Sequence, residues 1–237
     1  MMNLPSNEKV EVRLLEKLLD YNYLTNSYKI YWFSGMFKEI IRGNNKIPFK
    51  RIACRMICDA WYPVVQYHLS FGISDQLKDI VLMINNKYIF SSDIKEEQLL
   101  NFLMYSDDPE IESKIRELCK YVPYRLISPF YSDTLVGRKD GEKNRLITEL
   151  SLSSQEALYQ IHTQDNYIEV NEQWFMYIYE NQNIIQGWLN YKLVHYLQKK
   201  NPNVPAIPFK LHPPYQRDLR TATKFWGEVI KHRKIND

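Results

Sequence analysis

Apolar residues recur at the spacing of an amphipathic helix after Pro48, and this pattern constrains the fold of the chain most strongly. The stripe consists of Phe49, Ile52, Ala53, Met56, Ile57, Ala60 and Trp61. Spacings of three and four residues place these side chains on one face of an α-helix. Pro48 suits the first turn of a helix, where a missing N–H costs nothing. We therefore predict a helix that starts at Pro48 and is stopped or kinked near Tyr62 by Pro63.

The same periodicity predicts further helices on both sides of this one. They cover residues 10–19, from Asn26 or Ser27 to Gly43, 74–84, 93–104 and 108–120. Asp93 followed by Glu96 has the spacing of a capping box, and Asp108 stands before a proline that suits a first turn. The first half of the chain is thus predicted to be a series of amphipathic helices.

The second half is less regular. Residues 121–131 contain Pro123 and Pro129 and are predicted to be extended, and residues 137–144 are predicted to be a surface loop. A short strand at 167–170 is expected to precede one long helix that is capped by Asn171 and ends before residue 201. Five prolines between residues 201 and 214 indicate an extended arm across the body, and residues 215–234 are predicted to be helical.

Composition supports a mainly α fold, namely a multi-helix globular body with an extended proline-rich arm and a basic C-terminal helix. Seven glycines leave few positions for phosphate loops and tight hairpins, and 45% hydrophobic residues are enough to form a core. We place the body at residues 1–200, with a further boundary allowed near 121–166, and the arm and basic helix at 201–237. Without a signal peptide or a membrane-length apolar run, we predict a cytoplasmic protein with no membrane partner.

The net charge of +3 hides a strong asymmetry along the chain. Residues 192–237 contain ten basic and three acidic residues, a balance of +7, which leaves −4 for the first 191 residues. On the predicted last helix Arg217, Arg220 and Lys224 share one face, while Trp226 and Ile230 lie on an apolar face that is expected to dock on protein. We predict that these three cations, with Lys199, Lys200 and Lys210, contact duplex DNA, although a solvated helix face is the plainer interpretation.

No motif assembles an active site. The P-loop, dinucleotide-binding, nucleophile-elbow and zinc-protease signatures are all absent from the sequence. Cys54, Cys58 and Cys119 form no C-x-x-C pair and are interpreted as reduced core thiols. The residues therefore assign no catalytic group, no metal ligand and no cofactor.

Three longer strings resemble a known family. They are NYLTNSYKIYWF at 22–33, RMICDAWYPVVQYHL at 55–69 and IPFKLHPPYQRDL at 207–219. Together they resemble the N-terminal helical region of bacterial HNH endonuclease domain-containing proteins, over roughly residues 10–230. The resemblance implies an α-helical region followed by a separate HNH module.

In that family the HNH module holds one divalent metal ion, such as Mg²⁺, near an Asp-His pair. No Asp-His dipeptide occurs in the 237 residues, and the sequence ends about where the module is expected to begin. The resemblance therefore carries no catalytic or metal-binding role to any residue here. What it carries over is the helical region with its basic Pro-Pro-Tyr-Gln-Arg-Asp-Leu segment.

Three interpretations follow from this resemblance and remain open at this point. The chain is the DNA-engaging or scaffolding part of an HNH-type endonuclease, with duplex DNA and a separate HNH-containing chain as partners. Alternatively, it is a stand-alone, catalytically empty interaction protein descended from that family. In the third interpretation it is an enzyme with an unrecognised site in its aromatic middle. The resemblance also suggests defence against foreign DNA as a setting, which none of these residues shows.

Overall fold

The computed structural model describes residues 3–214 and 220–233. These residues form a mainly α protein, as predicted. Helices α1–α12 span Val12–Leu18, Tyr28–Ile40, Phe49–Val65, Leu77–Tyr88, Glu96–Tyr105, Pro109–Cys119, Val122–Ile127, Ser132–Leu135, Asp140–Ser153, Glu172–Glu180, Gln182–Lys200 and Arg220–Arg233. Short 3-10 turns cover Tyr21–Tyr23, Ser128–Tyr131 and Ile207–Lys210.

The core is built around α2 and α3, which pack closely side by side. Their contact depends on Gly35, because an added Cβ there would lie 3.0 Å from Ile52 Cγ2 and 3.1 Å from Arg55 Cβ. The predicted apolar stripe of α3 is buried throughout. The close contact of the two helices therefore forms the centre of the fold.

A buried ion pair joins these two helices. Glu39 of α2 accepts a hydrogen bond from Arg55 Nε of α3 at 2.8 Å, and both side chains are fully buried. Arg51 Nε forms a second salt bridge with Glu39 at 2.8 Å, and Arg55 Nη1 donates to Glu96 of α5 at 2.5 Å. Because several partners share the charges, the polar groups can remain in the interior.

A three-stranded antiparallel sheet covers one end of this helical core. Strands β1 (Lys46–Pro48), β2 (Tyr159–His162) and β3 (Tyr167–Val170) pair in the order β1-β3-β2. Ile47, Ile168 and Ile161 lie opposite one another in register, and all three are buried. The strand at 167–170 is confirmed, and its two partners join segments more than 100 residues apart in sequence.

Prolines stand where two predictions fail. The predicted stop near Tyr62 is wrong, since Pro63 lies inside α3, which continues to Val65 between the buried neighbours Tyr62 and Val64, while the alternative of a kink at Pro63 stays a prediction. Residues 121–131 are not extended but form α7 and a 3-10 turn, each with a proline in its first turn. A proline in a first turn favours a helix, so Pro123 and Pro129 start these elements instead of interrupting them.

Other helix boundaries also differ from the prediction. Most of the expected loop at 137–144 belongs to α9, which begins at Asp140. Asp93 does not cap α5, whose N-cap is Lys95, whereas Asp108 accepts a hydrogen bond from Glu110 N–H at 3.0 Å and caps α6 as predicted. The long helix after Asn171 is broken at Asn181 into α10 and α11.

The proline-rich arm packs on the helical body through two buried side chains, Ile207 and Leu211. At its start the Asn201 amide exchanges two hydrogen bonds of 2.8 Å with the backbone of Ser70. By contrast, Trp226 and Ile230 on the predicted docking face of α12 are 59% and 55% exposed, so these two side chains do not pack on the helical body, and their docking on protein stays a prediction. Across the described ranges, no helix is long and apolar enough to cross a membrane.

We expect the change Glu39→Ala to lower the free energy of unfolding by about 3–5 kcal/mol, because it leaves Arg55 buried without its main partner. Urea unfolding measured by circular dichroism checks this value. Glu117→Ala is the matched control, since its pair with Lys114 at 2.9 Å is exposed, and it should change stability by less than about 0.5 kcal/mol. Equal losses in the two variants would contradict a structural role for the buried pair.

Candidate nucleic-acid interface

A cavity of about 730 Å³ opens between the ends of several helices. Its walls carry four cations, Lys17 of α1, Lys29 of α2, Arg125 of α7 and Lys143 of α9. Asp20 is the acidic residue in the same wall. We call this cavity, with these four cations, the basic groove.

Lys29 lies in the first turn of α2, where the helix dipole is positive. The turn is held in place because Ser27 N–H donates to the buried Asp75 Oδ2 at 2.7 Å. Among the described residues, no carboxylate oxygen lies within 4.0 Å of the Lys29 ammonium. Burial lowers the pKa of Lys29, and the nearby Arg125 guanidinium lowers it further. Lys29 is thus a partly buried cation in a positive environment.

Arg125 reaches the groove because α7 is anchored in the core. The buried Tyr159 hydroxyl donates to Pro123 C=O at 2.6 Å, which fixes the first turn of α7 against β2. Arg125 Nη1 and Lys143 Nζ lie 3.4 Å and 3.1 Å from the same oxygen of Asp140. Since Asp140 is 81% exposed, this pairing is open to solvent and only weakly compensates the two cations.

Lys17 completes the groove at its exposed rim. It stands in the last turn of α1, where the negative end of the helix dipole favours a cation. The next residues turn into the 3-10 segment through Asp20, whose side chain accepts from Asn22 N–H at 3.0 Å. Asp20 keeps its negative charge, but four cations against this one acidic residue leave the lining of the groove with an excess of positive charge.

The lysines predicted from the sequence lie at other places in the fold. Lys199 and Lys200 are in the last turn of α11, and the Lys200 ammonium lies 5.6 Å from the centre of the Tyr196 ring. Lys210 is in the arm, where it donates to Pro205 C=O at 2.5 Å and lies 5.3 Å from the centre of the Tyr67 ring. Local contacts thus hold Lys200 and Lys210 in place.

The remaining predicted cations belong to the C-terminal helix. Lys224 is exposed on α12. Arg220 begins that helix, but its side chain is outside the described residues, and Arg217 lies outside them altogether. Their predicted contact with DNA stays a prediction.

A second, smaller cleft of about 190 Å³ contains acidic residues, of which Asp59 and Glu96 are paired with a lysine. The Lys38 ammonium lies between Asp59 and Glu96 and hydrogen-bonds to both. Burial alone would lower the pKa of Lys38, but the two carboxylates outweigh it and raise the pKa above its usual range. In the part of the chain that the structure describes, no group of three or more His, Cys, Asp or Glu side chains is placed to hold a metal ion.

The basic groove was missed in the sequence because its cations are up to 126 residues apart. None of them stands in a basic run, and the first 191 residues carry a net negative charge. The sequence gives one local indication of the groove, which is Lys29. This lysine stands at the second position of a helix, where the positive end of the helix dipole favours acidic residues. Only the packing of four helices brings the four cations together.

Comparisons of the chain with protein-family models, curated proteins and solved structures give no match. The resemblance to HNH endonuclease domain-containing proteins therefore stays a prediction.

We expect Lys29→Gln to raise the free energy of unfolding at pH 7 by about 0.5 kcal/mol, because it removes a desolvated charge beside Arg125. The folded-state pKa of Lys29 is lowered, so its charge costs stability at neutral pH, and this cost disappears as the pH rises through the folded pKa. The stability difference between wild type and variant should therefore shrink at alkaline pH. Urea unfolding at several pH values measures it.

Lys46→Gln is the control, since Lys46 is 61% exposed and lies 3.5 Å from Glu169. It should not stabilise the protein. A Lys29→Gln variant that is less stable than wild type at pH 7 would show that Lys29 has a stabilising partner.

Proposed function

We propose that the chain is the DNA-engaging and scaffolding part of an HNH-type endonuclease. In this proposal the basic groove and the basic C-terminal helix contact phosphates of duplex DNA. The metal-dependent cleavage would belong to an HNH module that these 237 residues do not contain. The observation that carries the proposal is the grouping of four cations from four separate helices around one cavity.

Two physical arguments support phosphate as the ligand. Bringing like charges together costs free energy, and Lys29 has no compensating carboxylate among the described residues, so the arrangement favours an external anion. Arginine and lysine are also the side chains that proteins use most for phosphate contacts. The three strings that resemble the HNH family provide the link to nucleases.

The first test measures the affinity of the full chain for a labelled duplex by fluorescence anisotropy between about 50 and 200 mM salt. We expect weak binding that falls steeply with salt, because cations that contact phosphates release counterions. Replacing Lys17, Lys29 and Lys143 by Ala should weaken binding and reduce the salt slope by up to about 0.9 per lost phosphate contact. Replacing Arg217, Arg220 and Lys224 by Ala tests the C-terminal helix in the same way.

A triple Ala variant of Lys46, Lys114 and Arg145 is the matched control. It removes the same charge, but each of these cations is exposed and paired with a glutamate. It should retain the affinity and the salt slope of wild type. Undetectable binding at low salt, or equal weakening by the control, would refute the proposed DNA contact.

One observation favours the second candidate function, an interaction protein. Phe225, Trp226 and Ile230 of α12 are each more than half exposed, at 57%, 59% and 55%. Large exposed aromatic and aliphatic side chains on one short helix are typical of surfaces that bind another protein. A separate HNH-containing chain, the partner in the first interpretation, is the protein with which this surface can be tested, and binding through α12 would agree with a scaffolding role as well.

We expect Trp226→Ser to weaken binding to a separately expressed HNH-containing chain from the same genome by at least about tenfold, the effect of losing one aromatic anchor. Isothermal titration measures this affinity. Phe209→Ser is the control, because Phe209 is 82% exposed but lies on the arm, away from α12 in sequence. Equal effects of the two changes would contradict a specific role for α12.

A further inference from the structure

The basic groove differs in shape from a surface that follows a DNA backbone. Its volume of about 730 Å³ lies within the range of small-molecule sites, and three of its cations, Lys29, Arg125 and Lys143, are partly buried. A duplex backbone can contact the exposed rim at Lys17 and approach the side chains behind it, but a compact terminal group can enter between the partly buried Lys29, Arg125 and Lys143. We call the part of the groove lined by Lys29, Arg125 and Lys143 its floor, and this floor favours a small anionic group.

The charges on the floor match a dianion better than a monoanion. Lys29 and Arg125 both line the cavity and are close enough for the guanidinium to disfavour the charged form of the ammonium. A phosphodiester carries one negative charge, whereas a phosphate monoester carries about −1.5 to −2 at pH 7. A monoester can therefore neutralise both cations at once.

The two side chains also differ in a way that suits one phosphate group. An arginine can donate two parallel hydrogen bonds to two phosphate oxygens, and a lysine adds a point charge from another direction. The first turn of α2 adds its positive dipole end beside Lys29. The acidic neighbour Asp140 is 81% exposed, so it can turn towards solvent when an anion enters.

We propose that Lys29 and Arg125 form a phosphate-monoester subsite on the floor of the basic groove. The ligand is the terminal phosphate of a nucleic-acid strand, and this assignment to a strand end rests on the proposed function. A free nucleotide carries the same chemical group and is the other source that the experiment distinguishes. With this subsite the protein would bind a phosphorylated DNA end more tightly than an end that carries a hydroxyl group.

The test compares duplexes of one sequence that carry either a 5′-phosphate or a 5′-hydroxyl group. Anisotropy titrations with the full chain should show tighter binding of the phosphorylated duplex by about tenfold to a hundredfold, the effect of one or two charge-assisted hydrogen bonds. Lys29→Gln and Arg125→Gln should each abolish most of this preference. Lys46→Gln is the matched control and should retain it, since Lys46 is exposed and paired with Glu169.

Titration with a nucleoside 5′-monophosphate and with inorganic phosphate distinguishes the possible outcomes. Equal affinity for both duplexes, with no Lys29-dependent binding of the monophosphate, overturns the subsite but leaves the proposed DNA contact intact. Lys29-dependent binding of the monophosphate without any DNA binding supports the subsite and refutes the proposed function. Thermal unfolding confirms that the Gln variants are folded, and Arg125→Gln serves as the second variant if Lys29→Gln is not.

Discussion

The contact between α2 and α3 is the interaction on which the rest of the structure depends. Gly35 lets the two helices approach, and the approach buries the pair between Glu39 and Arg55, which also reaches α5 through Glu96. These contacts fix the position of α2 in the core. Lys29 stands ten residues before Glu39, about 15 Å along the same helix, so the buried pair also determines where the groove cation lies.

The two ends of α2 differ in whether their charged side chains have partners of opposite sign. Near its C-terminal end Glu39 and Lys38 each have partners of opposite sign, so their burial is compensated. Near its N-terminal end Lys29 faces Arg125, and the pKa of Lys29 is lowered. Groups that cost stability are common at functional sites, because function can require an arrangement that folding alone would not favour. This contrast distinguishes the basic groove from the paired cleft around Asp59.

Sequence reasoning predicted the helices whose apolar faces repeat regularly, such as α2, α3 and α6, because local periodicity and capping determine them. It was wrong at prolines, because a proline can either interrupt a helix or stand in its first turn. Pro123 and Pro129 stand in first turns, and Pro63 lies inside α3 between buried neighbours. Strand β1 was missed because it contains three residues and is stabilised by pairing with the distant β3, and the four-residue β2, which forms a hairpin with β3, was missed as well.

The sequence by itself determined the mainly α class, the position of most core helices and the uneven charge along the chain, since these depend on neighbouring residues. Only the tertiary structure decided which charges are neutralised and which are grouped. Lys38 and Arg55 each meet two or more carboxylates, whereas Lys17, Lys29, Arg125 and Lys143 are grouped around one cavity, where the exposed Asp140 pairs with only Arg125 and Lys143. The reason is that electrostatic interaction depends on distance in space, and helix packing brings together residues that are far apart in sequence.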